Sequence, residues 1–510
     1  MRNLRSTVDA EALKLIRRYE TYARELAEES VRRSRRSTSS TPRLQPMRPE
    51  YWALASGFDP YRVRSNAGAI THAIESAIRA RGYRPRSPYG YLVPKPDGGE
   101  RLVSVFQVAD NAVSRLVYLS LIRKNLPKLS AHSYAYRRDL SAHDAIQYIQ
   151  AEFATRDRLF IAEFDFSKYF DTIDHKHIWE TIDEQRFLMT DVERRIVEAF
   201  LSAPLPRTTE YSEFEGTTRT EGVPQGTSIS LFLANIAAAP LDRALERIGV
   251  GFVRYADDTI IWSPDYGRIC EAVDALFEAS KSIGASLNPT KSEGIRLLVT
   301  PELEQKAEFR STTEVKFVGY EVGLHALEMK SETVERAKRH LQQLLYFNLL
   351  SELHKGTQDP GRLQGRVDRD YVVFIWQARR YLYGDLSEND LRTFERNGAP
   401  LRRFKGLMSF YPLVDDTDLL ADLDAWFAAQ SWLALRRRAR LLRAAGIPAL
   451  PPPHDLGIHD LIRYTRKSKT TGGVLDLRLP SFRRISSVIR RAAARYGPNA
   501  VGQGPPPYGY

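Results

Sequence analysis

Among 510 residues there is a single cysteine, Cys270. A lone thiol forms no internal disulfide and cannot supply a cysteine-rich zinc site, so a disulfide scaffold and a Cys-pair nuclease module are both excluded. No apolar run reaches membrane-spanning length, and the opening MRNLRSTVDAEALKLIRRYE is too polar for a secretory signal. The expected location is therefore the cytoplasm, with no membrane partner. Acid is the scarcer charge: 63 Asp and Glu against 75 Lys and Arg leave a net charge of +12. That excess points to a polyanionic partner, nucleic acid first, without establishing one. What the chain does hold is material for cores. Hydrophobic residues make up 43% and aromatics 10%, as in a globular chain of several domains.

Residues 1–50 read as a helix (Ala10 to Val31) followed by the Arg/Ser run RRSRRSTSSTPR, which has no apolar period and reads as a linker. From 51 to 325, β-like runs alternate with helical ones. Leu159–Phe164, Gly251–Val253 and Thr259–Trp262 have the apolar density of buried strands, and Asp139–Phe153 and His175–Ile182 the spacing of amphipathic helices. Residues 326–500 read as helical, with candidates at Ser331–Leu353, Tyr371–Tyr383, Leu419–Leu433 and Ser481–Tyr496. The last ten residues, 501–510, end in GQGPPPYGY and form a tail with no packed element.

Chemistry concentrates in FVRYADDTIIW, residues 252–262. Two adjacent acids, Asp257 and Asp258, interrupt β-prone apolar residues, and a strand would aim one of them into the core. A tight hairpin with both acids at its turn removes the conflict. A third acid, Asp165, ends the apolar run RLFIAEFD. It would cap the following helix in an ordinary surface setting. Facing a hairpin of acids, it completes an oxygen-rich site for a hard divalent cation. Mg²⁺ binds through a few carboxylates together with substrate phosphate and water. Two such ions, about 3.5–4 Å apart, serve an in-line phosphoryl transfer.

With those residues in place, ordered blocks from about Tyr91 to Gly319 make the chain resemble the reverse transcriptase family. Tyr255-Ala256-Asp257-Asp258 is similar to the YxDD box, and Phe164-Asp165 through Phe170 to the first aspartate motif. Val223-Pro224-Gln225-Gly226 is similar to the segment beside the incoming nucleotide, and Val93 to Arg101 to the fingers hairpin. His132 to Arg137 with Ala142-His143-Asp144-Ala145 resembles a block of bacterial intron-type enzymes. Leu287 to Ser292 and Phe317-Val318-Gly319 resemble the lysine-bearing motif and the primer-grip turn.

The resemblance implies an α+β right-hand polymerase: fingers and an antiparallel palm sheet of three or four strands, then an all-helical thumb and C-terminal domain. It implies RNA-directed DNA synthesis from dNTPs, with two Mg²⁺ ions (Mn²⁺ as a substitute) on Asp165, Asp257 and Asp258. Arg101 and Lys95 would reach the triphosphate, where guanidinium and ammonium suit phosphate oxygens. Lys291 would relieve charge on the leaving pyrophosphate. Phe170, at the sugar-selecting position, would exclude a 2′-hydroxyl, and Gln225 and Gly226 would approach the nucleotide closely.

Thr227 replaces the glycine usual in intron-encoded enzymes, and QGTSISLFLAN resembles the defence-associated, abortive-infection branch. That branch implies antiphage defence, an RNA template or a dedicated noncoding RNA, and a DNA product; it leaves self-association open. The Arg-rich stretches Arg436–Arg443 and Arg483–Arg495 are candidate RNA contacts, and Tyr508 and Tyr510 candidate protein primers. Two rival readings stand beside it. One is a group II intron-type reverse transcriptase and maturase; the other is a catalytically inactive nucleic-acid-binding protein on a polymerase scaffold.

Overall fold

The first element is a 33-residue helix, α1 (Leu4–Arg36). In this computed structural model the described residues are 4–36, 44–94, 99–213, 216–289, 292–304, 310–401, 404–467 and 474–502. Leu4, Val8, Ala12 and Ile16 recur every four residues and are buried, so one stripe of α1 faces a core. That core is shared with α2 (Pro60–Ser65), α3 (Ala67–Arg79) and, past the hairpin β1 (Tyr89–Pro94) and β2 (Glu100–Val105), with α4 (Val108–Asn125). The helix runs on into the Arg/Ser segment that reads as linker. Next comes α5 (Ala142–Phe153), opened by a capping box in which the Ser141 amide donates to the Asp144 carboxylate at 2.7 Å. The Ala-His-Asp-Ala block is thus a helix start.

The central sheet is built from β3 (Arg158–Asp165) and, after α6 (Tyr169–Thr172), α7 (His175–Glu184), α8 (Asp191–Leu201), α9 (Ser228–Ala237) and α10 (Ala239–Ile248), the hairpin of β4 (Gly251–Tyr255) and β5 (Asp258–Ser263). Helix α11 (Tyr266–Ile283) leads to β6 (Gly294–Val299), then α12 (Pro301–Glu304) to β7 (Ser311–Thr312). The order is β4-β5-β3-β6-β7. Four antiparallel strands match the expectation, and β7 adds a two-residue parallel edge as a fifth. Both faces are covered, which explains the near-continuous apolar runs. Leu159 and Ile161 with Ile260 and Trp262 face one core, shared with α5 and the C-terminal region. Ala162, Phe164, Phe252 and Ile261 face the other, with α9, α10 and α11.

A small sheet of β8 (Val315–Phe317), β9 (Tyr320–Val322) and β10 (Leu327–Met329) follows. Its first turn, Val318-Gly319, has φ of +47° and +90°, the left-handed pair a two-residue hairpin demands. The rest is helical: α13 (Ser331–Leu345), a π-helical turn at Tyr346–Leu350, α14 (Ser351–His354), α15 (Arg369–Tyr383), α16 (Glu388–Asn397), α17 (Thr417–Ala444), α18 (Ile458–Ile462), α19 (Phe482–Tyr496) and α20 (Pro498–Val501). One short hairpin, β11 (Thr465–Lys467) with β12 (Val474–Asp476), interrupts the helices of a region expected to have none. An α+β body with an antiparallel sheet and a helical C-terminal region is the architecture of a right-hand polymerase.

Candidate active site

The three acids come together. β3 and β5 run antiparallel with Asp165 directly opposite Asp258, and directly opposed residues share a face with Cα atoms about 4.5–5.5 Å apart. By alternation that face is the one carrying Leu159, Ile161, Ile260 and Trp262. Asp257 is the second residue of the two-residue turn closed by the Tyr255–Asp258 pair. All three are partly buried. Like charges directly opposed on a ladder repel, so a cation drawn to this strand end would relieve that repulsion. Among the described residues there is no ready-made cage of three or more acid, imidazole or thiolate groups. An all-oxygen donor set of a few carboxylates, completed by substrate phosphate, is what Mg²⁺ accepts, and the residues fit that ion.

The turn is held from below. Ala256 sits at φ +62°, a conformation that costs a non-glycine residue roughly 1 kcal/mol or more. Its carbonyl accepts a 3.0 Å hydrogen bond from Nη1 of Arg254. Arg254 is 1% exposed and bidentate on Asp242 of α10, with both contacts at 2.7 Å. Its Nη2 also donates to Ser133 Oγ and to Asn235 of α9, and Ser133 Oγ donates to Asn235 Oδ1 at 2.7 Å. Burial raises the Asp242 carboxyl, which the Arg254 guanidinium pulls back down. The network ties the acid-bearing turn to two helices and to the His132–Arg137 block. Sequence reasoning missed Arg254 and Asp242. The signal was available: an arginine amid the apolar residues of FVRY cannot be buried without an acid partner.

The remaining residues cluster by backbone. Ser104 of β2 donates to the Gln225 carbonyl at 2.6 Å, and a Cβ on Gly226 would lie 2.4 Å from the Ser104 carbonyl oxygen. Gly226 also has φ +128°. A side chain there would strike the hairpin backbone, so the fold itself demands glycine at this position. This contact joins the hairpin carrying Arg101 to the turn. Gln225 Nε2 donates to Asp171 at 2.9 Å, and Val223 donates to the Phe170 carbonyl. Phe170 is half-buried, its ring edge-on to Tyr136 and Tyr169. Thr227 caps α9 by accepting from the Ser230 amide, and Ser230 Oγ donates back to the Pro224 carbonyl. Asn288 donates its amide to the Asp165 carbonyl at 2.8 Å, which brings the lysine-bearing motif beside the acids. Lys291 itself, with Lys95, Tyr508 and Tyr510, lies outside the described residues.

Part of the chain matches a known family. Residues 93–322 match the family described as "Reverse transcriptase (RNA-dependent DNA polymerase)". This stretch is a reverse transcriptase domain. Protein YkfC of Escherichia coli K12 is 31% identical over 170 residues, covering 32% of this chain and 42% of that protein. A COX1/OXI3 intron 1 protein of Saccharomyces cerevisiae is 30% identical over 160 residues, covering 30% and 18%. The chain thus spans less than half the length of these curated relatives. Similar solved structures include apo telomerase from Candida tropicalis (12% identity, 85% of this chain and 68% of that one, TM-score 0.39). Telomerase from Candida albicans with a telomeric RNA fragment is similar at 13% identity (80% and 67%, TM-score 0.37). Superpositions this loose transfer nothing to the domain. No helix among the described residues is long and apolar enough to cross a membrane.

Outside the domain, the Arg-rich stretches divide. Arg438 is 1% exposed and bound to Asp368 at 2.7 Å, to Asp370 at 2.8 Å and to the Leu349 carbonyl. Arg362 and His454 complete that buried cluster. Hydrogen bonds from His454 and Arg438 and the Arg438 charge hold the Asp368 carboxyl down at about 2, against the pull of burial. Arg484 pairs with Glu388 and Glu395. The burial of Arg438 corrects the RNA-contact expectation for that residue. Arg436, Arg437, Arg440, Arg443, Arg483, Arg490, Arg491 and Arg495 remain exposed.

Proposed function

We propose that the chain is an RNA-templated DNA polymerase. The observation that carries this reading is the register that sets Asp165 opposite Asp258, with Asp257 one residue away in the turn, inside the reverse transcriptase domain. Asp165 and Asp257 would hold two Mg²⁺ ions, with Asp258 as the outer contributor. Bound there, the ions supply positive charge at the attacking and leaving oxygens of the phosphoryl group. Arg101 orients the triphosphate from the hairpin, Gln225 and Gly226 form the wall beside the nucleotide, and Phe170 packs where a 2′-hydroxyl would fall. Lys95 and Lys291 add positive charge near the triphosphate and the leaving group. Primer extension on an RNA template with dNTPs tests the reading. Wild type incorporates and Asp257→Ala loses at least about 10²-fold; equal incorporation would instead support an inactive binding scaffold.

The biological setting we propose is antiphage defence with an RNA partner, supported by the QGTSISLFLAN wording and the helical C-terminal region. Plaque counts on cells carrying wild type or Asp257→Ala test it, with protection expected from wild type alone. The likeness to an intron 1 protein favours a second reading, an intron-type enzyme. That reading requires stimulation of splicing of a bound intron RNA, which the defence reading does not.

A further inference from the structure

Helix α13 does not end at Leu345 but widens into the π-helical turn Tyr346–Leu350 before α14 begins. Such turns are rare and concentrate at functional sites. This one is held from inside. The Leu349 carbonyl accepts from Nη1 of the buried Arg438 at 2.7 Å, and Asn348 Nδ2 donates to Oε1 of Gln377 on α15 at 2.6 Å. Outward it presents two rings, with Tyr346 43% and Phe347 64% exposed. Their centres lie 5.8 Å apart, and the exposed His354 ring of α14 lies 5.8 Å from Tyr346 with its plane tilted by 39°. Arg437 of α17 donates from Nη2 to His354 Nε2 at 3.4 Å. Three rings and a guanidinium form one exposed row, fixed beneath by a buried ion pair.

The chain around this row is poor in acid. From Arg336 to Ser351 the sequence RAKRHLQQLLYFNLLS contains none, and α17 contains none after Asp424. Glu352, the first acid beyond the turn, is held by the buried Arg362. Next to Arg437, Arg436 lies over the Trp432 ring at 5.0 Å. A basic surface without acids draws a polyanion, and exposed rings beside arginine take the flat faces of bases. A duplex keeps its base faces stacked and has no use for the rings. An acidic peptide would satisfy the arginines and leave the rings without a stacking partner. Unpaired nucleotides supply both phosphate and free base faces.

We propose that the π-helical turn is a docking site for an unpaired segment of RNA, whose bases stack on Tyr346 and Phe347. The choice of RNA over DNA rests on the RNA partner proposed above. The measurement is equilibrium binding of the full chain to a labelled RNA stem, either blunt or closed by an unpaired loop, without dNTPs or metal. Wild type should bind the looped stem more tightly than the blunt one. Tyr346→Ala and Phe347→Ala should each lose about five-fold or more on the looped stem and bind the blunt stem as wild type does. Phe347→Trp should retain the gain, and all three variants should melt with wild type because both side chains are exposed. Equal losses on the two stems, or no loss on either, overturn the site. Displacement of the looped stem by polyglutamate as readily as by unlabelled looped RNA overturns it too, because charge alone is then read. Ultraviolet cross-linking of the chain with its co-purifying nucleic acid identifies the strand. A ribonucleotide adduct on the peptide holding Tyr346 and Phe347 supports the proposal, and a deoxyribonucleotide adduct there overturns the choice of RNA. RNA that co-purifies but cross-links only elsewhere overturns the site and leaves the RNA partner standing. Incorporation is not read in either experiment, so a chain inactive in primer extension still tests the site.

Discussion

Arg254 shows how a single buried side chain sets the geometry of a reacting group it does not touch. Removing one partner of a buried pair strands the other charge at a cost of roughly 3–5 kcal/mol, whereas replacing both with apolar residues is often neutral. Arg254→Met should therefore lower the melting temperature sharply, and the double variant Arg254→Met/Asp242→Leu should recover most of it. Activity should not recover, because the Ala256 carbonyl still lacks its donor. A double variant that melts like wild type and extends primers at the wild-type rate would refute the positioning role. Asp110 of α4 gives a pH prediction. Burial raises its carboxyl to about 6, against hydrogen bonds from the Tyr83 hydroxyl and the Arg86 amide. The folded chain then takes up a proton at a pH where the unfolded chain, near 3.8, does not, so the neutral form favours folding. Relative to Asp110→Asn, wild-type melting temperature should rise as pH falls from about 6 to about 4, and the difference should level off below that. The three acids of the proposed metal site were legible in the sequence because acids inside apolar strands contradict burial. Arg254 and Asp110 make the same contradiction, but their partners lie 12 and 27 residues away, and no local pattern pairs them.

Strands and helices were readable where a period or a cap was local. The Asp139–Phe153 run forms α5 only from Ala142, because Ser141 and Asp144 carry their own start signal three residues apart. β3, β4 and β5 were found because a strand buried on both faces is apolar throughout. The two- and three-residue strands β7 to β10 have too few residues to show alternation, and only their neighbours make them strands. The same holds for β11 and β12 in a region that otherwise reads as helix. Thr227 looked like a departure from a glycine-bearing motif, and the structure gives its use: it accepts the Ser230 amide at the start of α9. Losing such a cap costs about 1 kcal/mol when the replacement is alanine and only a few tenths when it is glycine. Thr227→Ala should therefore melt measurably below wild type, with Thr227→Gly and Thr227→Ser close to it in a thermal shift assay. Equal melting for all three would mean that the Pro224–Gly226 turn is held by Ser230 and Ser104 alone.

Across the whole molecule the +12 charge is not spread over equivalent arginines, and this makes the helical region's role separable from its folding. In α17, Arg438 is spent on Asp368 and Asp370, where it also holds the carbonyl of Leu349 in the π-helical turn. Arg436, Arg437, Arg440 and Arg443 on the same helix stay at the surface. A phosphate contact made by any of these shows in the salt dependence of binding, with a slope near −0.9 per neutralised phosphate on duplex and nearer −0.7 on a single strand. Changing those four to glutamine should flatten the slope on duplex by up to about 3.6 while leaving the melting temperature within a degree or two. Arg438→Gln should do the reverse: the slope is kept, and stability drops steeply because two buried aspartates lose their shared guanidinium and a carbonyl loses its donor. Binding to a labelled RNA duplex across a salt series, with melting followed in parallel, separates the two. If the quadruple variant keeps the full wild-type slope, these arginines form a solvated face, and the polyanion must lie along the sheet, the hairpin and α1 instead.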